Sequence, residues 1–288
     1  MKSEVTQDEI AFYQENGFVV IEDFLNPEEL EDWRATLEAV ITGRGDNMLP
    51  GRKGLDPQDG KKAAEAEKDA PADDNMKYYG SVFLQRVNLW QDNPSVKERI
   101  LAPEIGKMAT QLAGAEGFRV WHDQALYKAP WSNPTALHKD NPYWSFYSPD
   151  AITIWIALDD VTPDNGCLYF IPGSHRPAEY KNVGISPNMG AIFEACPEYR
   201  EIEPKKAVMK AGSCSFHNGL TIHGATPNMT PRWRRAMTCA FMPIGATFNG
   251  QRNILTEEQF NRLKEGDALE DDEQNPIVYA RCWEKAQT

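Results

Sequence analysis

The spacing of apolar positions changes along the chain, and that change divides it. Residues 7–16 read as a short helix, stopped by Asn16-Gly17. Phe18-Val19-Val20-Ile21 opens a β-rich run over 18–24. Asn26 then caps a helix with Pro27 in its first turn, Leu30, Trp33, Leu37 and Val40 on one face, and a stop at Gly43. Apolar content returns over 81–91, and 94–113 is predicted as one amphipathic helix with Val96, Ile100, Ile105, Met108 and Leu112 inward. After Gly114 the pattern turns β. Strands are predicted near 118–128, 135–140, 151–159, 167–171, 206–209, 213–217, 220–223 and 234–242. Short strands between Pro, Gly and Asn turns point to a mainly β fold with flanking helices, a sandwich or jelly roll. The loop 172–205 would cover one mouth of such a barrel, and the tail carries a helix near 256–264.

Residues 44–78 break the pattern, with Asp, Lys, Ala, Gly and Pro dominant and Leu49 and Leu55 the main aliphatic anchors. Such a stretch buries too little surface to offset its ordering entropy. It reads as a mobile insertion, either a plain solvated loop or a lid over a binding site. At 288 residues the chain suits one domain. Its parts would be a helical N-terminal part 7–43, the insertion 44–78, a jelly-roll core 115–245 and a helical tail 250–288.

Composition narrows the partners. With 41% hydrophobic residues and eight tryptophans, global disorder is excluded. A net charge of −13 makes nucleic acid and anionic membrane surfaces poor partners and leaves a small molecule as the expected one. The five cysteines are widely spaced without a CxxC, which suits free thiols in a reducing compartment. No secretory h-region or membrane-length apolar run is present, so a cytoplasmic location is expected. The sequence fixes no oligomeric state.

The chemistry concentrates in few residues. In His138-Lys139-Asp140, a strand would point the imidazole and the carboxylate to one side and Lys139 to the other. One more imidazole completes the facial triad of a mononuclear iron(II) site, with three positions left open. His223, closing the apolar run Leu220-Thr221-Ile222 beside Gly224, supplies it. After the turn formers Pro227, Asn228 and Pro231 comes Arg234, whose planar fork suits the distal carboxylate of a 2-oxo diacid. Strand alternation separates Arg234 from Arg235, a one-residue shift would exchange their roles, and Arg232 belongs to the turn. His122 reads as a satisfied core histidine in preference to a pocket-lining one, His175 as a loop brace, and His217 as packing or hydrogen-bonding on a neighbouring strand. Trp121, Trp131, Tyr143, Trp144, Phe146 and Tyr147 cluster near the triad, as pocket wall or aromatic core. A cupin-like binding protein and a zinc hydrolase are the competing classes. The first has no use for a buried arginine, and the second lacks a placed general base.

These residues sit within a wider resemblance. Tyr13-Gln14-Glu15-Asn16-Gly17-Phe18-Val19-Val20, the helix opened by Asn26-Pro27-Glu28-Glu29-Leu30, and His138-Lys139-Asp140 come first. Trp155-Ile156-Ala157-Leu158-Asp159-Asp160, Asn165-Gly166-Cys167-Leu168 and Ile171-Pro172-Gly173-Ser174-His175 follow. Ile222-His223-Gly224 and Trp233-Arg234-Arg235-Ala236 complete the series. Over about residues 8–242 the chain resembles the phytanoyl-CoA dioxygenase family of iron(II)/2-oxoglutarate oxygenases. The resemblance implies a double-stranded β-helix, iron(II), 2-oxoglutarate and O2, with ascorbate as reductant in an assay. It implies His138, Asp140 and His223 as metal ligands and Arg234 as cosubstrate anchor, with Trp155 and Gln124 beside the cosubstrate. It also implies hydroxylation of a small metabolite with release of succinate and CO2, with desaturation, epimerisation or ring formation open to the same platform. A carboxylate at 140 fills the position that related halogenases give to chloride. One departure stands out: the family's serine two residues after the distal histidine is Ala225 here, and Thr226 or a water is the expected substitute.

Overall fold

The computed structural model describes residues 1–45, 48–49, 78 and 80–285. The reading of 44–78 as mobile or as a lid falls almost wholly on residues outside these. Helix α1 (Gln7–Asn16) starts at a Thr6–Glu9 capping box and ends at Gly17, whose φ of 81° puts it in the left-handed region. Strand β1 (Phe18–Ile21) is shorter than expected because the chain turns at Asp23, φ 52°. Helix α2 (Pro27–Arg44) has its own Asn26–Glu29 capping box and buries Leu30, Trp33, Leu37 and Val40.

Strand β2 (Leu84–Val87) leads to α3 (Leu89–Asp92), α4 (Pro94–Ile100) and α5 (Pro103–Ala113). The single helix expected over 94–113 is therefore two. Pro103 lacks an N–H and forces Ala102 out of the helical region, to φ −57°, ψ 120°.

The remaining strands are β3 (Gly117–Tyr127), β4 (Thr135–His138), β5 (Ile152–Ala157), β6 (Leu168–Phe170) and β7 (Lys205–Lys206). They continue with β8 (Cys214–Asn218), β9 (His223–Ala225), β10 (Ala236–Pro243) and β11 (Ile277–Ala280). A short α6 (Ile192–Ala195) interrupts the loop 172–205, and α7 (Glu257–Arg262) and α8 (Cys282–Lys285) flank the last strand. The major sheet runs β1-β8-β5-β10-β3-β11, with β2 also on β3, and the minor sheet runs β4-β9-β6-β7. All pairings are antiparallel. This is a jelly roll with flanking helices, its two sheets not hydrogen-bonded into a closed barrel. Three major-sheet strands lie outside 115–245, and β11 comes from the tail expected to be helical.

Alternation gives the major sheet two faces. Outward, Ile152, Ile154, Ile156, Cys214, Phe216, Met237, Cys239 and Phe241 form one core with Leu30, Trp33, Leu37, Ile105, Met108 and Leu112 of the helices. Inward, Thr153, Trp155, Thr238 and His217 line a cavity closed on its other side by the minor sheet. In β3 the register slips, so His122 faces Ala240 while Val120 faces Phe241. Trp121 is the extra residue of that bulge. Beyond it, His122, Gln124 and Leu126 turn into the cavity, and Phe118 and Val120 before it stay in the outer core.

Candidate active site

His138 ends β4, and His223 begins β9 as its register partner. The pairing is close: a β-carbon on Gly224 would stand 2.7 Å from the Thr135 carbonyl oxygen, so the residue after His223 is held to glycine. The expected strand over 220–223 is instead a turn, built on Asn218, whose side chain accepts from Leu220 N at 2.8 Å. Asp140 is not on a strand either. Its backbone is helical, φ −78°, ψ −50°, at the mouth of a 3-10 turn over Asn141–Tyr143. The carboxylate reaches His138 by chain reversal, not by strand alternation. Lys139 accordingly does not point to solvent: it is 2% exposed, with Nζ 3.3 Å from the Glu179 carbonyl.

The geometry gathers one donor atom each from His138, Asp140 and His223 within 4.8 Å of one another. His138 Nδ1 is 2.8 Å from the Ala136 carbonyl and His223 Nδ1 is 3.0 Å from that of Thr221. A carbonyl can only accept, so both Nδ1 atoms carry the proton and both Nε2 lone pairs are left for a metal. Burial pushes His223 down to about 3, keeping it neutral, while Asp140 opposes the shift. Burial would raise the Asp140 carboxyl, but the His223, His138 and His217 imidazoles around it outweigh that and hold it well below the usual carboxylate range. Two imidazoles and a carboxylate with their donor atoms gathered in this way form a set that fits a divalent first-row ion.

The cavity holds about 560 Å³. Deep in it, Arg234 is 2% exposed and lies over the Trp155 ring at 4.9 Å. Its backbone bridges Lys128 just before β10, and its Nε and Nη1 have no protein partner. Burial lowers its guanidinium only to about 10, so it keeps its charge at neutral pH. The hydroxyl of Thr238, on the same wall, is also buried without a partner. Unpartnered buried donors are costly unless a ligand accepts from them, and a carboxylate fits this pair. Arg235 points the other way and pairs with Asp159 through Nε at 3.0 Å and Nη2 at 2.7 Å. Arg232 lies exposed in the turn.

Other residues fall differently from expectation. Gln124 lines the cavity, paired with Gln85 of β2. Thr226 does not: its hydroxyl accepts from Gly166 N at 3.2 Å. On β4 the residue in register with Ala225 is Thr135, and it lines the cavity. Tyr143 and Trp144 form wall, whereas Trp121 and Phe146 pack behind it, with Trp121 Nε1 on Asn253 at 3.2 Å. Trp131 and Tyr147 are exposed. His122 is not a satisfied core histidine. It lines the cavity, its Nδ1 is unpartnered, and burial pushes it down to about 4. His175 packs at Gly17, away from the cluster. Met48 and Leu49, at the start of the 44–78 stretch, also reach the cavity. Sequence reasoning left His217 outside the site. Its Nε2 is 3.2 Å from Asp140 Oδ2. The alternation of β8 was the available signal, but only the pairing with β5 shows which partner it meets.

Comparison with known proteins agrees with this geometry. Mouse (Mus musculus) peroxisomal phytanoyl-CoA dioxygenase is 26% identical over 268 residues, covering 88% of this chain and 74% of that one. The solved non-heme alpha ketoglutarate dependent carbocyclase SnoK from nogalamycin biosynthesis superposes with a TM-score of 0.74 at 26% identity, covering 95% of this chain and 96% of its own. The epimerase SnoN, in complex with Fe3+, alpha ketoglutarate and nogalamycin RO, shares the fold with a TM-score of 0.68 at 22% identity, covering 94% and 98%. No helix among the described residues is long and apolar enough to cross a membrane. The family model for phytanoyl-CoA dioxygenase (PhyH) matches residues 13–236, and the chain belongs to that family.

Proposed function

We propose that the protein is an iron(II)- and 2-oxoglutarate-dependent oxygenase in which His138, Asp140 and His223 hold the metal and Arg234 pairs with the distal carboxylate of 2-oxoglutarate. One observation carries this reading: a His-Asp-His cluster with both histidines buried and a buried guanidinium with two unpartnered nitrogens share one cavity. Iron(II) with 2-oxoglutarate and O2 supplies an oxidant able to attack an unactivated C–H bond, with release of succinate and CO2. The chain's own residues orient and enclose. The two imidazoles are fixed by backbone carbonyls, Trp155 supports the Arg234 guanidinium, and Thr238 or Thr135 offers the hydroxyl that Ala225 lacks. Gln124 stands beside the same space.

Hydroxylation of a small molecule is the outcome we favour, since Asp140 occupies the position a halide would need. Ring formation or epimerisation on the same platform is the second reading, supported by the carbocyclase and epimerase among the structural relatives. Among the described lining residues only Asp140 and Arg234 carry formal charge, and the rest of the wall combines neutral polar groups with apolar ones such as Leu126, Tyr143, Trp144, Ile185 and Ile254. Once iron and 2-oxoglutarate take those charges, the space favours an uncharged, largely apolar substrate over a polyanionic thioester. The test is succinate release from 2-oxoglutarate with iron(II), ascorbate and O2, with His223→Ala as control. Slow substrate-free turnover, lost in the variant, is expected. Succinate formation equal in both proteins would overturn the assignment.

A further inference from the structure

Asp140 offers two oxygens, and they stand in different surroundings. Oδ1 faces the cluster, 3.4 Å from His138 Nε2 and 3.7 Å from His223 Nε2. Oδ2 faces away from it, 3.2 Å from His217 Nε2 and 3.4 Å from the Thr153 hydroxyl that donates to it. His217 and Thr153 are register partners on β8 and β5, both on the inward face. The strand pairing therefore builds a two-pronged holder before any ligand arrives. His217 is 2% exposed, set between the Phe170 ring at 5.4 Å and the His223 ring at 4.5 Å, so it has little freedom to turn. Its Nδ1 has no partner, which leaves Nε2 as its one polar contact and as the atom that carries the proton toward Oδ2.

We propose, on the footing of the metal reading above, that His217 and Thr153 are positioning residues that occupy Asp140 Oδ2 and leave Oδ1 alone to bind the metal. A carboxylate with both oxygens free can take two positions on a metal ion, as carboxylate ligands do in other sites. Here that second position would have to stay free, because a two-histidine, one-carboxylate set serves this chemistry by leaving positions open for cosubstrate and oxygen. Held by two donors, Oδ2 is a poor competitor for that place. The holder thus keeps the coordination open as well as aligned, and removal of such outer partners typically costs roughly 10- to 100-fold in metal affinity or activity.

The test uses the full-length, metal-free protein and manganese(II) alone as probe, with free ion counted by its electron paramagnetic resonance signal. His217→Phe keeps the ring packing and removes the donor. Its affinity is expected to fall roughly 10- to 100-fold, with His217→Gln, which can still donate, recovering most of the loss. Thr153→Val is expected to give a smaller, severalfold loss. In manganese-loaded crystals Asp140 is expected to bind through one oxygen in the wild type and through both in the His217→Phe/Thr153→Val double variant. Wild-type affinity in His217→Phe, or one-oxygen binding in the double variant, would overturn the proposal. No manganese binding by the wild type would instead remove the metal site itself. Thermal unfolding of the metal-free variants checks folding; if His217→Phe does not fold, Thr153→Val decides, and an unchanged affinity there counts against the holder.

Discussion

Along β5 the outward side chains are Ile152, Ile154 and Ile156, whereas the inward ones are Thr153, Trp155 and Ala157. The same contrast runs through β8, with Cys214 and Phe216 outward against Ser215 and His217 inward, and through β10, with Met237, Cys239 and Phe241 against Thr238 and Ala240. The outward set packs on helices and holds the fold. The inward set is buried equally well, yet Ser215, His217 Nδ1 and Thr238 keep polar atoms without partners. On the outer side Asp123 is served, accepting from Leu89 N and Trp90 N, each at 2.9 Å, whereas the Tyr127 hydroxyl is buried there without a partner. Buried polar groups without partners cost stability, and those of Thr238 and Arg234 line the cavity, where a ligand can serve them. One set of strands thus separates the work of folding from the work of binding.

Substitutions should keep that separation. The largest effect is expected from His223→Ala, which removes metal binding and turnover while the metal-free protein still folds; metal titration alongside circular dichroism checks both. Ile154→Ala, between the cavity-facing Thr153 and Trp155 but on the opposite face of the strand, should cost about 2–5 kcal/mol in denaturant unfolding and leave metal affinity of the folded protein unchanged. Arg234→Ala should forfeit a charge-assisted contact of about 1.5–3 kcal/mol, weakening 2-oxoglutarate roughly 10- to 100-fold in calorimetric titration without touching the metal. The smallest effect sharpens the contrast most. Thr238→Val should weaken 2-oxoglutarate by about 1 kcal/mol, roughly fivefold, yet leave the ligand-free melting temperature unchanged or higher, because an unpartnered hydroxyl is gone. A stability loss there with no change in 2-oxoglutarate affinity would break the comparison.

Much of this was legible in the residues. Helical spacing and capping residues placed α1 and α2, and alternation put Arg234 and Arg235 on opposite faces, with the family resemblance pointing to Arg234 as the inward one. Less visible was anything set by a partner strand. That Asp140 arrives through a turn, that His217 meets it across β5, and that Thr135 rather than Thr226 stands beside Ala225 are consequences of register between segments far apart in sequence. The bulge at Trp121 inverts which residues of β3 face inward, so His122 lines the cavity although its sequence context favours the core, and of the two readings open for Trp121 the structure takes the aromatic core. Pro103 was in plain view, and its helix-breaking geometry should have divided 94–113.

The most direct test of the central claim is an anaerobic titration of 2-oxoglutarate into the protein with and without iron(II), repeated on His223→Ala. Tight binding of one 2-oxoglutarate per chain that depends on iron, and that disappears in the variant, is the predicted result. Binding of equal strength without the metal, or iron uptake undiminished in His223→Ala, would contradict it.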